Sequence, residues 1–281
     1  MNLRLDWANF RIDMSQRTHI MGILNITPDS FSDGGRYMAL DKAVEHALEM
    51  VEDGADIIDV GGESTRPYAQ KISAMEEMDR VLPVIEALKK EIRIPISIDT
   101  CKADVASRAL QAGASIINDI SALNFDIKMA SLAAESEVPV ILMHMQGTPR
   151  DMQVNPIYQD LIIDILNFFN QALKKARSSG IKEELIIVDP GIGFGKSFDD
   201  NLKIINQLKS FTSLKRPVLI GPSDKAFIGK ILNKEPGCRT TGTMAAIAAG
   251  IMKGAHIVRV HNVKKAVETA RIIDAIKHET L

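Results

Sequence analysis

The chain has 281 residues, of which 46% are hydrophobic and 25% charged, and a formal net charge of −2. This suits one large α/β domain with a sizeable core, and the near-neutral charge excludes the electrostatic footprint of a nucleic-acid or acidic-membrane binder. Cys101 and Cys238 follow no disulfide or metal spacing, no apolar run reaches the roughly 18 residues of a membrane span, and MNLRLDWANF lacks a signal-peptide core, so a soluble cytoplasmic protein is expected.

Residues 1–19 read as a lead-in, a hairpin closing the bottom of a barrel. Strand 20–25 (IMGILN) comes next, then the loop TPDSFSDGGRY and a helical pattern over 41–52. Strand 57–61 leads through GESTRP to a helix at 74–91 and strand 95–99 (PISID). A helix at 102–111 precedes strand 115–119 (SIIND), and a helix at 127–135 precedes strand 139–144 (PVILMH). The long loop MQGTPRDMQVNP opens onto the longest helix, 158–178. Strand 186–189 (IIVD) runs into the turn PGIGFGKS, with a helix at 199–209 behind it. Strand 217–221 (PVLIG), helical sequence to 253, strand 256–260 (HIVRV) and a helix at 263–277 complete the chain.

Eight strand-then-helix units without a linker predict a single (β/α)8 TIM barrel spanning residues 1–281. Apolar residues in continuous runs fit strands covered on both faces. A doubly wound open sheet is the alternative, but the Gly-rich phosphate turn expected after its first strand is absent.

In such a barrel, ligands meet the C-terminal ends of the strands. Those ends carry Asn25, Asp59, Gly61, Gly62, Asp99, Asn118, Asp119, His144, Asp189, Lys225, Arg259 and His261. Any one of them could be a satisfied structural residue, as Asp189 would be if it only accepted hydrogen bonds in its own turn. A ring of them on separate strands points to a site. Asp99, Asn118 and Asp189 can accept and donate in one plane, which suits a heteroaromatic ring with amidine-like N–H groups. Asn25, Thr65, Arg66, Arg259 and His261 suit a phosphate or diphosphate. The loops TPDSFSDGG and GGESTRPYAQ are long and polar enough to act as lids.

The segments NITPDSFSDGG (25–35), GGESTRP (61–67), SIDT (97–100), IND (117–119), LMHMQGTP (142–149), DPGIGFGK (189–196) and RVH (259–261) together resemble the signatures of the dihydropteroate synthase family. The resemblance implies a transferase of folate synthesis, a sulfonamide target, joining 6-hydroxymethyl-7,8-dihydropterin diphosphate to p-aminobenzoate with Mg²⁺ present. It implies that Asp99, Asn118, Asp189 and Lys225 hold the pterin in a slot shaped by Met143, Phe194 and Gly221. Asn25, Arg259 and His261 would hold the diphosphate, Asn25 also reaching the metal. Phe31, Asp33, Thr65, Arg66 and Pro67 would form the lids that complete the p-aminobenzoate site, with Lys225 and Ala226 beneath. Asp33, Asp99, Asp189 and Lys225 would serve catalysis, diphosphate leaving before the aniline attacks, and the family expectation is a homodimer.

The chain departs from the family's usual Ser-Arg-Lys-Ser after the seventh strand, reading Ser223-Asp224-Lys225-Ala226. An Asp224 carboxylate about 6 Å from an incoming carboxylate would oppose it by roughly 3 kcal/mol per unit charge at an effective dielectric of ~20. It could equally complement a helix N-terminus and face solvent. Asn262 also stands where an Asp usually follows the RVH histidine. A paralogue that binds pterin diphosphate but uses another acceptor, or has lost catalysis, is therefore a competing expectation. A corrinoid-linked methyltransferase is a third; the TPDSFSDGG and GGESTRP loops would not be expected in it.

Overall fold

The computed structural model describes residues 3–26, 36–65 and 70–280. The lead-in is an antiparallel hairpin of β1 (Arg4–Trp7) and β2 (Phe10–Asp13). Strands and helices then alternate: β3 (His19–Asn25), α1 (Arg36–Glu52), β4 (Ile57–Gly61), α2 (Ala74–Glu91), β5 (Ile96–Asp99), α3 (Ala103–Ala112), β6 (Ile116–Asp119) and α4 (Met129–Ser136). They continue as β7 (Val140–Met143), α5 (Leu161–Ser178), β8 (Ile186–Asp189), α6 (Phe198–Asn206), β9 (Leu219–Ile220), α7 (Ala226–Leu232), α8 (Thr240–Met252), β10 (Ile257–Val260) and α9 (Val263–His278).

The eight strands β3–β10 pair in parallel in the order β8-β7-β6-β5-β4-β3-β10-β9. A bridge between Val188 and Val218 brings β8 back to β9 and closes the (β/α)8 barrel. Side chains alternate between two environments along each strand. Outward residues such as Ile58, Val60, Ile98, Ile117, Val188 and Val258 pack beneath the helices. Inward residues Met21, Ile57, Ile116, Ile141, Ile187, Leu219 and Ile257 form a separate layer with Leu5, Trp7 and Ile12 of the hairpin. The hairpin thus packs against the N-terminal end of the barrel.

Helix ends follow local chemistry. Ser73 and Glu76 form a capping box at the start of α2, and Ser197 and Asp200 form another at α6. The helix expected at 158–178 begins at Leu161, because the Asp160 side chain accepts from the N–H groups of Ile162 and Ile163. The helical stretch expected up to 253 is two helices, since Asn233 takes a left-handed conformation and Pro236-Gly237 follows. The helix expected at 199–209 stops at Asn206 and gives way to a 3₁₀ segment, Leu208–Leu214.

Candidate active site

On six of the eight strands the site is reached by moving two residues from the apolar interior layer toward the C-terminal end. Ile57 gives way to Asp59, Ile116 to Asn118, Ile141 to Met143, Ile187 to Asp189, Leu219 to Gly221 and Ile257 to Arg259. Period-2 alternation keeps each pair on the inner face. Asn25, Gly61, Asp99 and Asn118 are register partners across β3, β4, β5 and β6. Polar groups from three distant segments, Asn25, Asp99 and Asn118, therefore share one rung.

Arg259 binds this wall together. Its Nε donates to Asp59 Oδ2 at 2.6 Å and its Nη2 to Asp99 Oδ2 at 2.7 Å. Asn118 Nδ2 also donates to Asp59 Oδ2, at 3.1 Å, while Asp59 Oδ1 is buried without a partner. Burial works against the charge of Arg259, but Asp59 and Asp99 outweigh it and hold the guanidinium protonated. Burial raises the Asp99 pKa, and Asp59 adds to that, against the pull of Arg259. Asp59 is fully buried and fixes both Arg259 and Asn118, a role that its place in the sequence does not reveal.

Across the mouth, Asp189 is 6% exposed and accepts from the Gly191 N–H at 2.7 Å. Burial raises its pKa to about 6, against Gly191, Lys225, Lys196 and Arg259, which lower it. Lys225, half-buried at the N-terminal end of α7, places its Nζ 4.4 Å from the centre of the Phe194 ring. Burial and then Arg259 bring its pKa down to about 8, with Asp189 and Asp99 opposing. Met143, register partner of Asp189, and Gly221, whose absent side chain would sit 3.9 Å from Arg259 Cβ, supply flat apolar wall between the charged groups.

At the rim, Ser223 Oγ bonds His261 twice, to Nδ1 at 2.9 Å and from its N–H at 3.2 Å, which orients an exposed imidazole just past Arg259. Thr65 is half-buried on the second loop. Phe31, Asp33, Arg66 and Pro67 lie outside the described residues. Asp119 and His144 belong to other tasks. Asp119 folds the turn after β6 by accepting from Ser121 N–H, Ser121 Oγ and Leu123 N–H, and His144 bonds Lys196.

A bound Mg²⁺ fits the Asn25 corner. A Cβ on Gly61 would lie 3.7 Å from Asn25 Oδ1 and 3.7 Å from Asp99 Oδ2, so the glycine leaves a hollow faced by an amide oxygen and a carboxylate. No group of three or more His, Cys, Asp or Glu side chains able to hold a metal occurs among the described residues. The donor set suits a cation that brings water and phosphate oxygens as most of its ligands.

The model of the pterin-binding enzyme family matches residues 21–261. The dihydropteroate synthase of Bacillus subtilis is 51% identical over 94% of this chain and 90% of that protein. The chain belongs to the dihydropteroate synthase family. Two solved structures of that family superpose closely. One, from Yersinia pestis in complex with a sulfonamide drug, gives a TM-score of 0.93 at 43% identity, covering 98% of this chain and 99% of that one. The other, from Xanthomonas albilineans with 4-aminobenzoic acid, gives 0.92 at 40% identity, covering 99% of each.

Measured against the family pattern, the departures have local explanations. Asp224 sits at φ +55°, accepts from the Gly237 N–H at 3.0 and 3.1 Å, and has Arg239 Nε 3.9 Å from its carboxylate. Arg239 Nη1 also donates to the Asp224 carbonyl at 2.9 Å. The acid therefore ties the connection between α7 and α8 to the start of α7, and an adjacent guanidinium meets its charge. Asn262 caps α9 by accepting from the Lys265 N–H at 3.1 Å, which an amide does as well as a carboxylate. Ala226 is the exposed first residue of α7, and Lys225 caps that helix without a side-chain bond.

Proposed function

We propose that the chain condenses 6-hydroxymethyl-7,8-dihydropterin diphosphate with p-aminobenzoate, forming 7,8-dihydropteroate and releasing diphosphate. The observation that carries this is the rung of Asn25, Asp99 and Asn118 facing Asp189 and Lys225, with Arg259 bonded across it. Acceptors at one side match the N–H edge of a pterin, and Asn25, Arg259 and His261 match the diphosphate that trails outward.

The chemistry follows from this polarity. The C–O bond to the diphosphate breaks and its electron pair leaves with that group, placing positive charge on the pterin methylene. Arg259, His261 and Lys225 stabilise the departing anion, while the Asp99 and Asp189 carboxylates favour the transient cation. The aniline nitrogen then forms the new C–N bond and gives up a proton. The loops bearing Phe31, Asp33, Thr65, Arg66 and Pro67 would exclude water, which would otherwise capture the cation. Asn25 would help hold Mg²⁺, which would supply charge neutralisation on the diphosphate.

A homodimer is the assembly we propose. The helices α6, α7 and α8 leave an apolar groove of about 330 Å³, with Leu202, Ile231 and Leu232 at 42%, 61% and 43% exposure along it. A second copy covering this face explains so much exposed aliphatic surface, and Ile231→Glu should convert the dimer to monomer in sedimentation analysis. No helix among the described residues is long and apolar enough to cross a membrane.

The functional test is mass-spectrometric detection of dihydropteroate from both substrates, together with diphosphate release. Product that vanishes with EDTA and returns with Mg²⁺ supports both the condensation and its metal requirement. Binding of pterin diphosphate without product would leave the non-catalytic paralogue as the better description.

A further inference from the structure

Lys196 ends the glycine-rich turn after β8, is 2% exposed, and pairs with no carboxylate among the described residues. Its ammonium donates to the Phe194 carbonyl at 2.8 Å, the His144 carbonyl at 3.1 Å and His144 Nδ1 at 2.9 Å. An ammonium has three donors, so none remains for a ligand. The imidazole accepts at Nδ1 and is neutral, its pKa pushed down to about 2 by burial and by Lys196. A buried cation without an acid partner is unfavourable unless the surroundings compensate.

The location shows what the charge is for. A Cβ on Gly191 would lie 3.3 Å from Lys196 Nζ, so the ammonium packs against the residue whose N–H holds Asp189. It also fixes the carbonyl of Phe194, whose ring lies under Lys225. The turn is otherwise fastened without it. Gln153 Nε2 donates to the Gly193 carbonyl at 2.6 Å, Tyr158 Oη to the Gly195 carbonyl at 2.5 Å, and the Gly193 N–H to Asn201 Oδ1 at 2.6 Å.

We infer that Lys196 is a positioning residue of the pterin site, an internal cation that keeps Asp189 ionised and seats Phe194 without touching substrate. The inference rests on the pterin reading of the mouth. The charged and titratable groups facing this pair are Asp200 on α6, His144 past β7, Tyr158 before α5, Lys225 after β9 and Arg259 on β10, with Asp99 acting on Lys225. Burial lowers the Lys196 pKa to about 7, against Asp189 and Asp200, which raise it. The cation is therefore present where Asp189 titrates, near pH 6, and lowers the pH at which that carboxyl takes up its proton.

The test is kcat/KM for pterin diphosphate against pH in wild type, Lys196→Met, Lys196→Gln and Lys196→Arg. The neutral variants should move the acid limb up by about one pH unit, so their deficit widens to about tenfold below about pH 5.5 and narrows above about pH 8. Lys196→Arg should leave the limb in place. The contribution of Asp99 is common to all four proteins and cancels in the ratios. A deficit of equal size at every pH, or an arginine variant shifted like the methionine one, would overturn the inference. So would failure of both neutral variants to fold, which would assign Lys196 a structural role only. Wild-type protein that binds no pterin diphosphate would instead refute the reading beneath it.

Discussion

At Asp189 the proposed binding role and stability pull against each other. Its folded pKa is raised by burial to about 6, above the ordinary carboxylate value, so folding favours the protonated form. The stability this residue contributes is fully present below the unfolded value and is lost as pH rises from about 4 to about 6. Asp189→Asn should therefore stabilise the protein at pH 8 by up to about 3 kcal/mol in urea denaturation, while pterin affinity collapses. Replacing Asp59 should act on stability in the opposite direction. Asp59→Ala leaves Arg259 with Asp99 alone and frees Asn118, and should destabilise by about 1–3 kcal/mol with a rise in KM for the pterin diphosphate. At the altered strand-seven motif, the contacts of Asp224 separate two effects that adjacency in sequence joins. Ala226→Ser alone should lower KM for p-aminobenzoate, whereas Asp224→Arg should loosen the α7–α8 connection and lower thermal stability.

The strands are the most legible elements, because apolar runs punctuated by Gly, Pro, Asp and Asn leave little else for a chain of this length to form. The ring at their ends is legible too, since Asn25, Asp99, Asn118, Asp189 and Arg259 each directly follow an apolar residue at or near the end of a strand. Contacts between distant segments are not. Arg259 and Asp59 are 200 residues apart, and only barrel closure shows that the acid orients the guanidinium. Lys196 reads in sequence only as part of a motif, because its partner His144 lies at the end of β7, 52 residues earlier. The glycine turn after β8 shows why its residues are small. Gly191 has φ +71°, and a Cβ there would lie 2.0 Å from the His144 carbonyl. Gly191→Ala should accordingly destabilise by more than about 2 kcal/mol and depress pterin binding further than Ser197→Ala, a cap loss of about 1 kcal/mol.

At the scale of the molecule, one interior is divided between two tasks. The lower layer, sealed by Leu5, Trp7 and Ile12 of the hairpin, is predominantly apolar, and the layer above it carries the polar groups of the candidate site. Trp7→Ala should cost about 3–5 kcal/mol of stability and leave KM for both substrates nearly unchanged, because the plug lies at the end opposite the mouth. The polar groups above this plug are proposed to form one pterin-diphosphate site, and titration calorimetry of the purified protein with that compound reads this out. Wild type and Trp7→Ala should bind one equivalent per chain with similar affinity, and Asp189→Asn should bind at least about a hundredfold more weakly. Equal affinity in wild type and Asp189→Asn, or no heat of binding in the wild type, would contradict it.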